Sequence, residues 1–131
     1  MNWKESLIVS EYLQPHLIEG FKYDLRLYVL VTSYDPLWIY IYEEGLVWFA
    51  TEKYIENASL DNLANKFIHL TNYSINKDSE NFVECEEIKP NGRGSKWCLK
   101  SLWWKYIQMN IDYDALFDQI HNLITETLMV F

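Results

Sequence analysis

The stretch FKYDLRLYVLVTSYDPLWIYIYEEGLVWFATEKY, residues 21–54, carries most of what the chain says about its fold. Within DLRLYVLVT, residues 24–32, the side chains alternate: Leu25, Leu27, Val29 and Val31 take one face of a strand, while Asp24, Arg26, Tyr28, Leu30 and Thr32 take the other. SYDP at 33–36 has the residues of a tight turn, and LWIYIYE at 37–43 reads as the next strand. Glu44-Gly45 is then expected to reverse the chain into LVWFATE at 46–52, giving an antiparallel meander. Tyr40, Tyr42 and Phe49 read as cross-strand packing residues.

Upstream, LIVSEYL at 7–13 is a short apolar strand candidate, followed by a connection around Pro15 and Gly20. Downstream, residues 57–95 are mostly connecting material around the phrase NKFIHLTNYSINK at 65–77, and ECEEIKPNGRG at 84–94 reads as an exposed acidic loop. Ser95 is placed to cap a helix in which Leu99, Trp103 and Tyr106 share a side. Asp112 is placed to start a second, with Leu116, Ile120, Ile124 and Leu128 one turn apart and Leu123 beside them. The expected fold class is α+β: a strand-rich portion over 7–54, a connecting region over 55–95 and a helical portion over 96–130.

Composition narrows the function classes. In 131 residues, 50% hydrophobic and 17% aromatic, there is apolar mass for one modest core. Nineteen acidic against eleven basic residues, a net charge of −8, argue against a general nucleic-acid surface but leave room for a local anion site. Cys85, Cys98 and three scattered histidines suggest neither a disulfide framework nor a metal cluster. No run approaches the roughly 18 apolar residues of a membrane span, and residues 1–15 lack a basic leader with an apolar core, so a soluble intracellular protein is expected.

Two groups of residues have the chemistry of a site. Lys22, Asp24 and Arg26 fall on one strand face, where residue chemistry alone reads first as a surface salt-bridge network and second as an anion-binding cluster. In HLTN, residues 69–72, His69 has the composition of a hydrogen-bonded loop histidine, and Thr71 with Asn72 can simply fix a turn. Lys77 reads equally as a solvated lysine or as part of a positive rim.

Residues 21–54 followed by NKFIHLTNYSINK resemble the tubulin-tyrosine-ligase-like family, particularly its polyglutamylase members, and the similarity runs through most of residues 7–131. The resemblance implies part of an ATP-grasp-like catalytic domain that joins glutamate to a glutamate side chain of a tubulin tail through an acyl phosphate, using ATP and Mg²⁺. It implies nucleotide-side roles for Lys22 and Asp24, and for Arg26 a place at the junction of the phosphates and the transferred amino acid. Thr71 and Asn72 match ATP-contacting positions, and His69 matches a neighbouring position assigned to substrate orientation. Tyr12 and Leu13 flank adenine in this reading, and Lys77 extends towards the acidic tail. Tubulin or microtubules and glutamate are the implied partners, in cytoplasm and cytoskeleton, including cilia and basal bodies.

The chain departs from the family pattern at named places. Ser10-Glu11 stand where a glutamine and a basic residue are usual, and Trp48 stands where an arginine helps bind phosphate or the transferred carboxylate. An indole packs or stacks but supplies no cationic fork. The family's upstream nucleotide-binding lysines and downstream Mg²⁺-binding acids have no counterpart here, so no metal ligand is assigned among Glu84, Glu86 and Glu87. An incomplete ligase site is therefore the first functional expectation. A noncatalytic tubulin-binding or assembly module, using Lys22, Arg26, Lys66 and Lys77 as a basic face, is the second.

Overall fold

A computed structural model describes residues 8–55, 64–84 and 94–129. Strands β1 (Leu17–Ile18), β2 (Phe21–Tyr34), β3 (Leu37–Phe49) and β4 (Lys96–Cys98) form one antiparallel sheet in that order. The short helices α1 (Lys66–His69) and α2 (Tyr73–Asn76) lie between β3 and β4, and α3 (Leu99–Gln108) and α4 (Tyr113–Met129) follow. The α+β class and the meander followed by two amphipathic helices are as expected. The acidic loop apart from Glu84 and Gly94, together with Leu7 and Cys85, lies outside the described residues.

Three local expectations change. Glu44-Gly45 does not reverse the chain, because β3 runs through it as one strand. Between the pairs Leu27↔Gly45 and Val29↔Ile41, β2 advances two residues while β3 advances four, so Tyr42, Glu43 and Glu44 stand against Tyr28 alone in a bulge. Gly45 serves close approach instead of a turn: a Cβ there would lie 2.7 Å from the Arg26 carbonyl oxygen.

Residues 8–13 form no strand and are exposed. At that end of β2 the pairing is made by β1, through the two-residue loop Glu19-Gly20 with φ of 54° and 87°, the positive values of a type I′ turn. The third change is at Ser95, which caps no helix. Lys96–Cys98 pairs with Leu46–Trp48 instead, burying Trp97 against Val47, and α3 opens only after Cys98. Asp112 does cap α4, its Oδ1 accepting from the Ala115 N–H at 3.1 Å.

The core lies on one face of the sheet. Ile18, Val47, Phe49 and Trp97 meet Leu99, Leu102 and Tyr106 of α3, with Leu25, Leu27 and Trp103 packed around them. This is the face that alternation assigned to Leu25 and Leu27. Phe49 is buried as a packing residue, but Tyr40 and Tyr42 are exposed because the hairpin extends beyond the short strands β1 and β4. Helix α4 joins the core through Tyr113 and Leu116, and none of its residues is fully buried.

Tyr23 and Tyr106 hydrogen-bond through their hydroxyls, and His16 Nδ1 lies 2.9 Å from the Tyr23 oxygen. Burial first, then the partner phenol, pushes the Tyr23 hydroxyl far above the ordinary phenol range, and burial raises Tyr106 as well. A pKa raised by folding gives stability that is complete below the unfolded value, near 10, and is lost as pH rises beyond it, since the native state then retains the proton. Urea unfolding midpoints measured from about pH 8 to about pH 11 are expected to fall above about pH 10, and less steeply when Tyr23 and Tyr106 are both phenylalanine. Equal slopes would rule out this coupling.

Candidate functional site

The opposite face of β2 carries Lys22, Asp24 and Arg26, and the loop between β3 and β4 brings HLTN onto it. Two ties hold that loop. The Thr51 and Glu52 N–H groups both donate to the Phe67 carbonyl at 3.2 Å. Asn76, 1% exposed, donates from Nδ2 to the Phe49 carbonyl at 3.2 Å and to the Leu70 carbonyl at 3.1 Å. Asn65 caps α1 by accepting from the Phe67 N–H at 3.0 Å. These bonds fix where residues 69–72 arrive.

The two groups then meet residue by residue. Lys22 Nζ donates to the His69 carbonyl at 3.0 Å, Thr71 Oγ1 donates to the Asp24 carboxylate, and Arg26 Nη2 donates to Asn72 Oδ1 at 3.4 Å. Arg26 also lies 3.6 Å from Asp24. Tyr12 joins through its hydroxyl, 3.4 Å from Lys22 Nζ, with that ammonium 5.6 Å from its ring centroid. A face-sharing salt bridge is therefore present, and it is also part of a larger polar cluster.

His69 reaches the cluster through its carbonyl, while its ring stands edge-on to Tyr54 at 5.6 Å. Leu13 is exposed outside any regular element, and Lys77 closes α2 at an exposed position. The structure thus assembles Tyr12, Lys22, Asp24, Arg26, His69, Thr71 and Asn72, and leaves Leu13 and Lys77 at its margin.

Strand pairing brings Lys96, which sequence reading passed over, beside Trp48. Trp48 is opposite Asp24 in β2 and opposite Lys96 in β4, so Asp24, Trp48 and Lys96 form a row across the cluster face. Lys96 Nζ sits 5.1 Å from the Trp48 ring centroid, and Tyr73 packs on that indole at 5.6 Å. The alternation Lys96-Trp97-Cys98 is the signal for this placement, but three residues before a helix are too short to read as a strand. Lys22 and Arg26 of β2 and Lys96 of β4 put three cations on the face that carries Asp24. A chain of net charge −8 therefore has a locally basic face. Such a face favours phosphate or carboxylate groups, Arg26 through a planar fork and the lysines as point charges.

Among the described residues no three His, Cys, Asp or Glu side chains converge as for a metal ion. Nor is any helix among them long and apolar enough to cross a membrane.

A small antiparallel sheet with helices on one face and a cluster of cations on the other is an α+β arrangement suited to anionic ligands. The chain belongs to the tubulin-tyrosine ligase family, whose sequence model matches residues 1–131. It is 46% identical over 127 residues to human tubulin polyglutamylase TTLL5, covering 96% of this chain and 10% of the relative. Mouse tubulin monoglutamylase TTLL4 is 44% identical over 127 residues, again 96% of this chain and 10% of the relative. Xenopus tropicalis tubulin polyglutamylase TTLL7 is 45% identical over 130 residues, 97% of this chain and 14% of the relative. The chain thus spans a small part of the length of the relatives it matches.

Proposed function

We propose that residues 1–131 form part of the catalytic domain, of ATP-grasp type, of an ATP-dependent ligase that joins glutamate to glutamate side chains of tubulin. The observation that carries this reading is the meeting of Lys22, Asp24 and Arg26 with His69, Thr71 and Asn72, together with family membership and the names of the relatives. Activating a carboxylate with ATP puts the acceptor oxygen and the phosphates side by side, and the charge that builds up there needs fixed cations. Bound ATP supplies the phosphoryl group.

Lys22 lies on the nucleotide side, with Tyr12 and Leu13 towards adenine. Thr71 and Asp24 fix each other's orientation beside it. Arg26, about half exposed and braced by Asn72, is open to a bidentate grip on phosphate or the transferred carboxylate. His69 orients substrate, and Lys77 meets the acidic tail of tubulin, which places the activity on the cytoskeleton, including cilia and basal bodies. Bound Mg²⁺ would neutralise phosphate charge, and among the described residues no three His, Cys, Asp or Glu side chains converge to hold it.

The test is transfer of labelled glutamate to a tubulin-tail peptide with Mg-ATP, alongside direct ATP binding. Arg26→Gln is expected to lower kcat/KM about tenfold or more, with Arg26→Lys recovering little of it because a point charge does not replace the fork. Transfer that is indifferent to both changes would refute the role of Arg26. Tubulin binding without ATP binding or transfer would favour a noncatalytic tubulin-binding module, which the same basic face supports.

A further inference from the structure

We propose that Trp48 is a positioning residue: its indole holds the Lys96 ammonium on the sheet face that carries Asp24 and Arg26, with its charge available to a phosphate or carboxylate. The identity of that anion rests on the ligase reading above. The placement of Lys96 does not.

Three observations converge. Trp48 and Lys96 are directly paired across β3 and β4, so both side chains leave the same face of the sheet. The ammonium stands 5.1 Å from the ring centroid, within reach of the negative π face. The indole is backed by Tyr73, 5.6 Å away and tilted 52°, which limits how far the platform can swing. On the other side of Trp48 is Asp24, whose carboxylate is taken by Thr71 and Arg26.

The kind of contact matters. A lysine fixed by a carboxylate has its charge neutralised by that partner, and an anion must compete for it. A π face holds the cation by its quadrupole, adds no negative charge, and leaves the ammonium N–H groups to an incoming oxygen. Without the indole, the flexible four-carbon stem of Lys96 spreads over many rotamers, and an anion must order it on binding. An arginine at position 48 would instead repel Lys96, so tryptophan there changes which residue presents the charge.

Reductive dimethylation with ¹³C-formaldehyde keeps lysine charged and gives each one an NMR signal, that of Lys96 being assigned by its absence in Lys96→Gln. The Lys96 signal is expected upfield of ordinary lysines through the indole ring current. The displacement should be abolished in Trp48→Leu and partly kept in Trp48→Phe, with Overhauser contacts between the Lys96 methyls and the indole in the unsubstituted protein. Inorganic tripolyphosphate, used as the anion probe on unmodified protein, is expected to bind about two- to fivefold more weakly to Trp48→Leu, the loss of one exposed cation–π contact. An undisplaced Lys96 signal without indole contacts overturns the proposal, and because it is read in the unsubstituted protein it does so even if Trp48→Leu fails to fold. A displaced signal with tripolyphosphate binding unchanged in both Trp48→Leu and Trp48→Phe overturns the anion-presenting role. If both effects appear but no ATP-dependent glutamate transfer is found, the positioning role stands and the ligase reading alone fails.

Discussion

Leu102→Ala is expected to lower the unfolding free energy by about 2–5 kcal/mol. Leu102 has no exposed surface and sits in the cluster where α3 meets Val47, Phe49 and Trp97. Truncation loses the transfer free energy of the deleted carbons and leaves a cavity that the sheet on one side and helix on the other cannot easily close. A small domain is stabilised by only about 5–15 kcal/mol in total, so the loss is a large fraction of the whole. In urea titrations the midpoint should fall with the slope unchanged. Ile107, 59% exposed on the same helix, provides the control: Ile107→Ala should stay within about 0.5 kcal/mol of the parent. Similar effects at the two positions would mean that α3 packs through another face.

Gly45→Val should cost about 3 kcal/mol, at the upper end of overpacking. Its Cβ would stand 2.7 Å from the Arg26 carbonyl oxygen and 3.3 and 3.5 Å from side-chain carbons of Leu27 and Leu99. The first of these is backbone in a paired strand, so relief requires β2 and β3 to separate at Arg26↔Leu46. That movement also carries the Arg26 side chain away from Asn72, linking a packing defect to the candidate site. Chemical denaturation measures the stability loss. Glu44→Ala, one residue earlier and in a surface ion pair with Lys100, is the comparison and should change stability by less than about 1 kcal/mol. A Gly45→Val protein as stable as the parent would sink the continuous path of β3.

The contrast at Gly45 shows what local reading can and cannot reach. Glu-Gly between two apolar runs has the composition of a turn, and only the partner strand reveals that the glycine makes room for a carbonyl. The Ser95 expectation fails for a related reason. A serine ahead of an amphipathic helix is a sound cap signal, but three intervening residues find a partner in β3, and burial of Trp97 there outweighs an earlier helix start. At residues 8–13 the apolar character is real, but β1 occupies the pairing positions next to β2. Where the signal is a period sustained over many residues, as in β2, α3 and α4, it survives folding. Asp112, whose capping bond is local, survives as well.

The sequence by itself determined the α+β class, the face of β2 that meets the core, the two long helices at the end of the chain and both halves of the polar cluster. Those features depend on side-chain periodicity, capping and residue chemistry, which act over a few neighbouring residues. Only the tertiary structure decided that β3 is one bulged strand, and that Lys22, Asp24 and Arg26 each meet a residue of the loop 46 or 47 positions away. It also decided that Trp48 lies between Asp24 and Lys96. Such pairings depend on strand register and on the bonds from Thr51, Glu52 and Asn76 that dock the loop, and these are settled only when distant parts of the chain pack together.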